Sequence, residues 1–218
     1  MMKLCNDTVN TLKNFSQINP SLVVEAGSEI VTMSPSKTII AKMITEEVFE
    51  QPFCIYELNK FLGVISMLEE PDLNFNEKSV EIKSKSGNVN YTYADPTMVV
   101  APLTTSVAVD NPVCSFQLNN TQLTSLIRAA SVLQTDIIRL VSTGGKLQVG
   151  TTDSKDPTSH TFDIDMDVTV EQDFAINVKT ENVVKILPSE YNVTVSERVI
   201  QFKNDTHTYW IVSERTNG

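Results

Sequence analysis

Apolar residues recur along residues 7–19 at threefold spacing, Val9, Leu12, Phe15 and Ile18, with Asn10, Lys13, Asn14 and Gln17 on the other side. That period predicts an amphipathic helix with Asn6 or Asp7 as its N-cap. Three β-branched runs follow, SLVVEAG, SEIVTM and KTIIAKMI, broken at Gly27 and at Ser34-Pro35-Ser36, and they predict strands. Residues 55–68 then place Ile55, Leu58, Phe61, Leu62, Ile65 and Leu68 on one face, the clearest helical pattern in the chain. DLNFN, SVEIKSK and NVNYTY read as a meander with turns at Asn76-Glu77-Lys78 and Ser86-Gly87-Asn88.

The same order then starts again. SFQL leads into a second helical stripe, Leu123, Leu126, Ile127, Ala130 and Leu133, opened by Asn119 and Gln122 at capping-box spacing. IIRLVSTGGKLQVGT predicts a hairpin turning at Gly144-Gly145, TFDIDMDVTV and DFAINV predict strands, and TENVVKIL a short helix capped by Thr180 and stopped by Pro188. YNVTVSE, RVIQFKND and THTYWIVSE form a second meander, offset from the first by about 118 to 120 residues, and the two opening helices are offset by about 113. An order of helix, strands, helix and meander made twice is an internal duplication, and each half buries two helical stripes against strands in an α+β layering. Between the halves runs YADPTMVVAPLTTSVAVDNPV, with Pro96, Pro102 and Pro112, no Gly and no basic residue, which predicts a stiff extended strap. The expected division is a first domain over 1–95, a connector over 96–112 and a second domain over 113–218.

Composition narrows the function. With 218 residues, 41% hydrophobic, the chain is long enough for two cores, and no apolar run approaches the roughly 20 residues that span a bilayer. The opening MMKLCNDTVN has no apolar h-region, so no secretory signal is expected. Cys5, Cys54 and Cys114 have no ligand or bridge spacing and read as reduced thiols. A net charge of −10 argues against a generic nucleic-acid coat. No catalytic constellation emerges. His160 and His207 lack ligand-spaced companions, and STGGK lacks phosphate-loop spacing. Asp163, Asp165 and Asp167 lack the Gly and Glu that a calcium loop needs, Val168 and Phe174 standing there instead. No cofactor, no metal and no enzymatic activity are expected.

LKNFSQIN, IYELNKFLGVISM and ADPTMVVAP, in this order and separation, resemble the sliding clamps of large tailed bacteriophages. The resemblance runs through the first domain and strap and more weakly to the end. It implies the DNA-clamp fold, two similar domains of helices on antiparallel sheets, and a homotrimeric ring of six domains around non-specifically held duplex DNA. It also implies an ATP-driven clamp loader, a replicative DNA polymerase and late-transcription factors as partners, no membrane, and the cytoplasm of the infected bacterial host as the place of work.

The charge layout bears on that implication. Helical segments with their flanks (3–19, 54–68, 119–134, 179–187) hold Lys3, Lys13, Lys60, Arg128, Lys179 and Lys185 against Asp7, Glu57 and Glu181, while the rest of the chain holds 11 basic and 24 acidic residues. In a trimer the helical lining would carry about +9 toward a polyanion. The same six residues also fit ordinary solvated helix faces. Carried over from the family, GNVNYTY pairs edge to edge with TFDIDMDV of the next subunit, through Val89, Tyr91, Tyr93 and Phe162, Ile164, Met166. Both runs alternate strictly, as half-buried strands inside one sheet also would. The resemblance likewise implies a partner-peptide pocket at the strap, with Val99, Val100 and Leu103 from the strap and Tyr209 and Ile211 from the last strand as its candidate residues. The competing class is a β-rich oligomeric virion structural protein, and a third is a two-domain carbohydrate- or peptide-binding module.

Overall fold

A computed structural model describes residues 1–156 and 158–214, and the chain divides into two units, Met1–Ser106 and Val107–Gly218. The division falls within the proline-containing strap, whose one regular element is a 3-10 turn over Pro96–Met98.

The first unit runs α1 (Asn6–Ile18), β1 (Leu22–Val24), β2 (Gly27–Met33), β3 (Ile39–Phe49), β4 (Phe53–Ile55), α2 (Leu58–Met67), β5 (Asp72–Phe75), β6 (Ser79–Ser84) and β7 (Gly87–Thr92). The second runs β8 (Cys114–Leu118), α3 (Asn120–Leu133), β9 (Ile137–Thr143), β10 (Lys146–Thr152), β11 (Phe162–Thr169), β12 (Phe174–Lys179), α4 (Thr180–Val183), β13 (Tyr191–Val195), β14 (Val199–Lys203) and β15 (His207–Val212). In the first unit β1 pairs with β4, β2 with β3, and β5-β6-β7 form a meander. In the second, one sheet has the order β11-β10-β9-β12, and β8, β13, β14 and β15 pair in sequence. The pairings are antiparallel, which short turns require for β5-β6-β7, β9-β10 and β13-β14-β15.

The cores follow from the apolar stripes. Leu12, Phe15 and Ile18 of α1 and Leu58, Phe61 and Leu62 of α2 are buried, with Ile30, Ala41 and Met43 of the strands. The space left among Leu12, Ile30, Phe49, Ile55, Leu58 and Phe61 is about 10 Å³, at the limit of what one water occupies. Phe53 and Phe75 lie tilted at 38° with centroids 4.8 Å apart and Phe49 lies edge-on to both, so rings from three strands pack together. In the second unit Leu123, Leu126 and Ala130 are buried, while Ile127 and Leu133 at the margins of the stripe are half-buried.

Several local expectations change. The N-cap of α1 is Cys5, whose sulfur accepts from the Thr8 N–H at 3.4 Å, and neither Asn6 nor Asp7 fills that place. Asn14 is buried together with Thr8 and Thr11, and Val9 is half-buried. The inner face of α1 is therefore rotated toward polar positions that a purely hydrophobic reading discards. A buried carboxylate explains part of this. Glu47 of β3 accepts from Cys5 N at 2.6 Å and from Thr8 Oγ1 at 2.7 Å, fixing the start of α1 to the sheet. Glu47→Ala leaves both donors without an acceptor and is expected to destabilise the protein by about 1–3 kcal/mol, read as a lower urea midpoint. An unchanged midpoint would show that the contact carries no net stability.

Helix α2 begins at Leu58 rather than Ile55, because Ile55 pairs with Leu22 across β4 and β1. Helix α4 has four residues, with Lys179 at its N-cap and Thr180 inside it; the Thr180 N–H donates to the Asp136 carbonyl at 2.9 Å. The capping box of α3 forms as expected, with Gln122 N to Asn119 Oδ1 at 2.9 Å and Asn119 N to Gln122 Oε1 at 3.0 Å. Gly144 and Gly145 take φ of +58° and +83°, the left-handed pair that a two-residue hairpin turn demands.

Candidate nucleic-acid interface and subunit edges

Of the six basic residues in the helical segments, three sit on the helices themselves. Lys13 is exposed on α1 beside Asn10 and Gln17, Lys60 on α2, and Arg128 on α3 beside Thr124 and Ser131. Within the observed helix bounds these face Asp7 and Glu181, so the excess is one positive charge per chain, smaller than the flanked segments imply. Lys3 lies ahead of α1 and pairs with Glu70 at 3.2 Å; Lys60 pairs with Glu57 at 3.1 Å; Lys179 at the end of β12 lies 3.8 Å from Glu214. Lys185 is half-buried beyond α4. Lys13 and Arg128 make no ion pair among the described residues; Lys13 has exposed Asn10 and Gln17 beside it, and Arg128 has Thr124 and Ser131, with Val132 also exposed on α3. Such a face can meet phosphates without an anchoring cluster.

The sheets β5-β6-β7 and β11-β10-β9-β12 each have one edge that is met and one that is not. The outer edge of β5 is closed by Met2, which exchanges both backbone hydrogen bonds with Leu73 at 2.8 Å. The outer edge of β12 is met by Glu214, whose N–H donates to the Asn177 carbonyl at 2.7 Å. The opposite edges, β7 and β11, have no ladder partner among the described residues. Their inward side chains also differ from those next door. Val80 and Ile82 of β6 are fully buried, yet their partners Tyr91 and Val89 on β7 remain half-exposed. Val149 and Thr151 of β10 are buried, yet Ile164 and Phe162 opposite them on β11 are half-exposed; Met166 is buried. Tyr91 leans back on α2, its ring 5.3 Å from Phe61 and its hydroxyl donating to the Glu57 carbonyl at 3.3 Å. Tyr93 lies just past β7, stacked on Phe53, and burial pushes its hydroxyl up to about 12.

The five residues expected to line a partner-peptide pocket do not share one exposed surface. Val99 is half-buried, while Val100 and Leu103 are exposed, and Asn19 Nδ2 ties the strap down by donating to the Val100 carbonyl at 2.9 Å. Tyr209 and Ile211, however, have no exposed surface. Tyr209 is a core ring whose hydroxyl accepts from Leu187 N at 3.4 Å, so neither residue offers a surface to a partner. A half-open cavity of about 490 Å³ lies instead at the far end of the strap, where Ala108, Asp110, Asn111 and Val113 meet the β13–β14 turn at Glu197 and Arg198. The turn is over eighty residues from the strap, and Asn111 before Pro112, at φ +49°, was the one local signal of a bend.

No protein-family model matches the chain. Along 98% of its length, and 99% of the relative's, it is 28% identical to the sliding clamp of Vibrio phage KVP40. Over 152 residues, 68% of this chain and 65% of the relative, it is 30% identical to the sliding clamp of Enterobacteria phage T4. The chain belongs to the bacteriophage sliding-clamp family.

Two solved structures show that this clamp has the α+β DNA-clamp fold. The DNA polymerase III beta chain of Streptococcus pneumoniae superposes with a TM-score of 0.73 at 13% identity, over 98% of the clamp and 64% of that chain. The Proliferating Cellular Nuclear Antigen of Entamoeba histolytica superposes at 0.70 and 11% identity over 95% of both chains. No described helix is long and apolar enough to cross a membrane, and no group of three His, Cys, Asp or Glu among the described residues could hold a metal ion.

Proposed function

We propose that three copies of this clamp close into a ring that encircles duplex DNA without reading its sequence and tethers the replicative polymerase for processive synthesis. The observation that carries the ring is the matched pair of open edges. Among the described residues β7 and β11 each lack a ladder partner on one side and leave core-side residues half-exposed, where the opposite edges of the same sheets are met by Met2 and Glu214. An unpaired edge is a template for another chain, and a head-to-tail contact between β7 of one copy and β11 of the next uses both edges and closes if the rotation allows. Val89, Tyr91 and Tyr93 would then meet Phe162, Ile164 and Met166.

The DNA-facing surface in this reading is the exposed side of the helices, led by Lys13, Lys60 and Arg128, with Lys3, Lys179 and Lys185 at its margins. Sparse cations among Asn, Gln, Thr and Ser attract a polyanion while letting it move. An ATP-driven loader places the ring, and peptide tails of the polymerase and of late-transcription factors dock along the strap at Val99, Val100 and Leu103 or in the cavity at its Ala108–Val113 end. The work takes place where phage DNA is copied, in the cytoplasm of the infected host.

Light scattering is expected to give three times the 24.2 kDa chain mass. With loader and ATP, the clamp is expected to stay on nicked circular DNA through gel filtration and to escape once the circle is cut. Retention that ignores DNA topology would sink this reading and favour a virion structural protein.

A further inference from the structure

The open edge strand β11 carries a feature that its pairing alone does not require. Arg139 on β9, Gly150 on β10 and Asp163 on β11 lie in one row across the sheet, Gly150 pairing with both. Adjacent strands stand about 4.8 Å apart, so Arg139 and Asp163 are separated by two strand spacings. The Arg139 guanidinium nevertheless reaches the carboxylate, with Nη2 at 2.8 Å from Oδ1 and 2.9 Å from Oδ2 and Nε at 3.2 Å from Oδ1. It crosses where Gly150 has no side chain, and Gly150 is buried beneath the pair. A Cβ there would collide with Asp163 Oδ1 and the Phe162 carbonyl.

Elsewhere β11 is loosely specified. Its ladder with β10 shifts between Lys146 and Leu147, which pair with Thr169 and Met166, leaving Asp167 and Val168 outside the register. A bulged edge strand of alternating Asp and apolar residues can slip, and a slip of one residue turns Phe162, Ile164 and Met166 to the solvent side. The carboxylates differ too. Among the described residues Asp165 receives its direct neighbour's amide, Gln148 Nε2 at 2.7 Å, whereas Asp163 is held bidentately from two strands away. The two side chains are 33% and 28% exposed, which shields the pair more than a surface ion pair.

We propose that Arg139 is a positioning residue for ring closure: laid over Gly150 and locked on Asp163, it fixes the register of β11 and so presents that edge to the neighbouring subunit. This rests on the ring reading above. The test compares the full-length clamp with Arg139→Met, Asp163→Asn and the swapped pair Arg139→Asp/Asp163→Arg, by amide hydrogen exchange and by sedimentation across a dilution series. Each single variant is expected to lose about tenfold in protection of the β11 amides and to dissociate at about tenfold higher protein concentration. The β13–β15 amides should keep their protection, and the swapped pair should regain much of both losses. Unaltered β11 protection in Arg139→Met overturns the proposal, as does lost protection with an unchanged dissociation midpoint. A wild-type clamp that is monomeric at every concentration overturns the ring itself, and the exchange data still report separately whether Arg139 holds β11.

Discussion

Gly150→Ala is expected to unseat β11 and abolish the trimer. The added Cβ would stand 2.9 Å from Asp163 Cγ and closer still to Asp163 Oδ1 and the Phe162 carbonyl. The carboxylate cannot simply swing aside, because Arg139 grips both oxygens, and the Phe162 carbonyl belongs to the backbone of the strand that must move. Overpacking a filled site costs about 1–3 kcal/mol, and lost ladder bonds between β10 and β11 add to it, so roughly 3 kcal/mol or more is expected. The damage should be local. β13, β14 and β15 pair without β11, so their amides should keep their protection while those of β11 exchange freely and the protein sediments as a monomer. A trimer of normal stability from this variant would mean that β11 is not part of the subunit contact.

The triple variant Lys13→Glu, Lys60→Glu, Arg128→Glu should fold and trimerise normally yet fail on DNA. All three side chains are exposed on helices, two lack an ion pair among the described residues, and Lys60 meets only the surface residue Glu57, so little stability is at stake. A ring would nevertheless gain about 18 negative charges on the side turned toward phosphate. Loader-dependent retention on circular DNA is expected to fall by more than about tenfold at low salt, with melting within about 0.5 kcal/mol of wild type. Normal retention would show that these helix faces do not look onto the duplex. Reversing Lys3 and Lys179 should matter less, since Glu70 and Glu214 already offset them.

Most of the layout was readable from local pattern. Period-three and period-two alternation located the long helices and most strands, Asn119 with Gln122 announced the capping box, and Gly144-Gly145 announced the hairpin, because each depends on residues a few positions apart. The duplication was legible for the same reason, since each half repeats its own short-range pattern. Resemblance, rather than any motif of chemistry, supplied the family, because a clamp needs no reactive constellation.

What sequence could not contain was every feature made by residues distant along the chain. Glu47 reads as half of an acidic pair until β3 brings it under the start of α1, where its oxygens replace water for Cys5 and Thr8. Tyr209 and Ile211, carried over from the family as pocket residues, are both wholly buried. Asp163 looks like one of three equivalent solvated carboxylates until the β9-β10-β11 order sets Arg139 two strands away with only a glycine between. Periodicity says which side of an element is apolar, whereas strand order and register decide which polar groups meet. The helices, strands and repeat were thus fixed by neighbours in the chain, and the open edges, the buried carboxylate and the ion pair over Gly150 by neighbours in space.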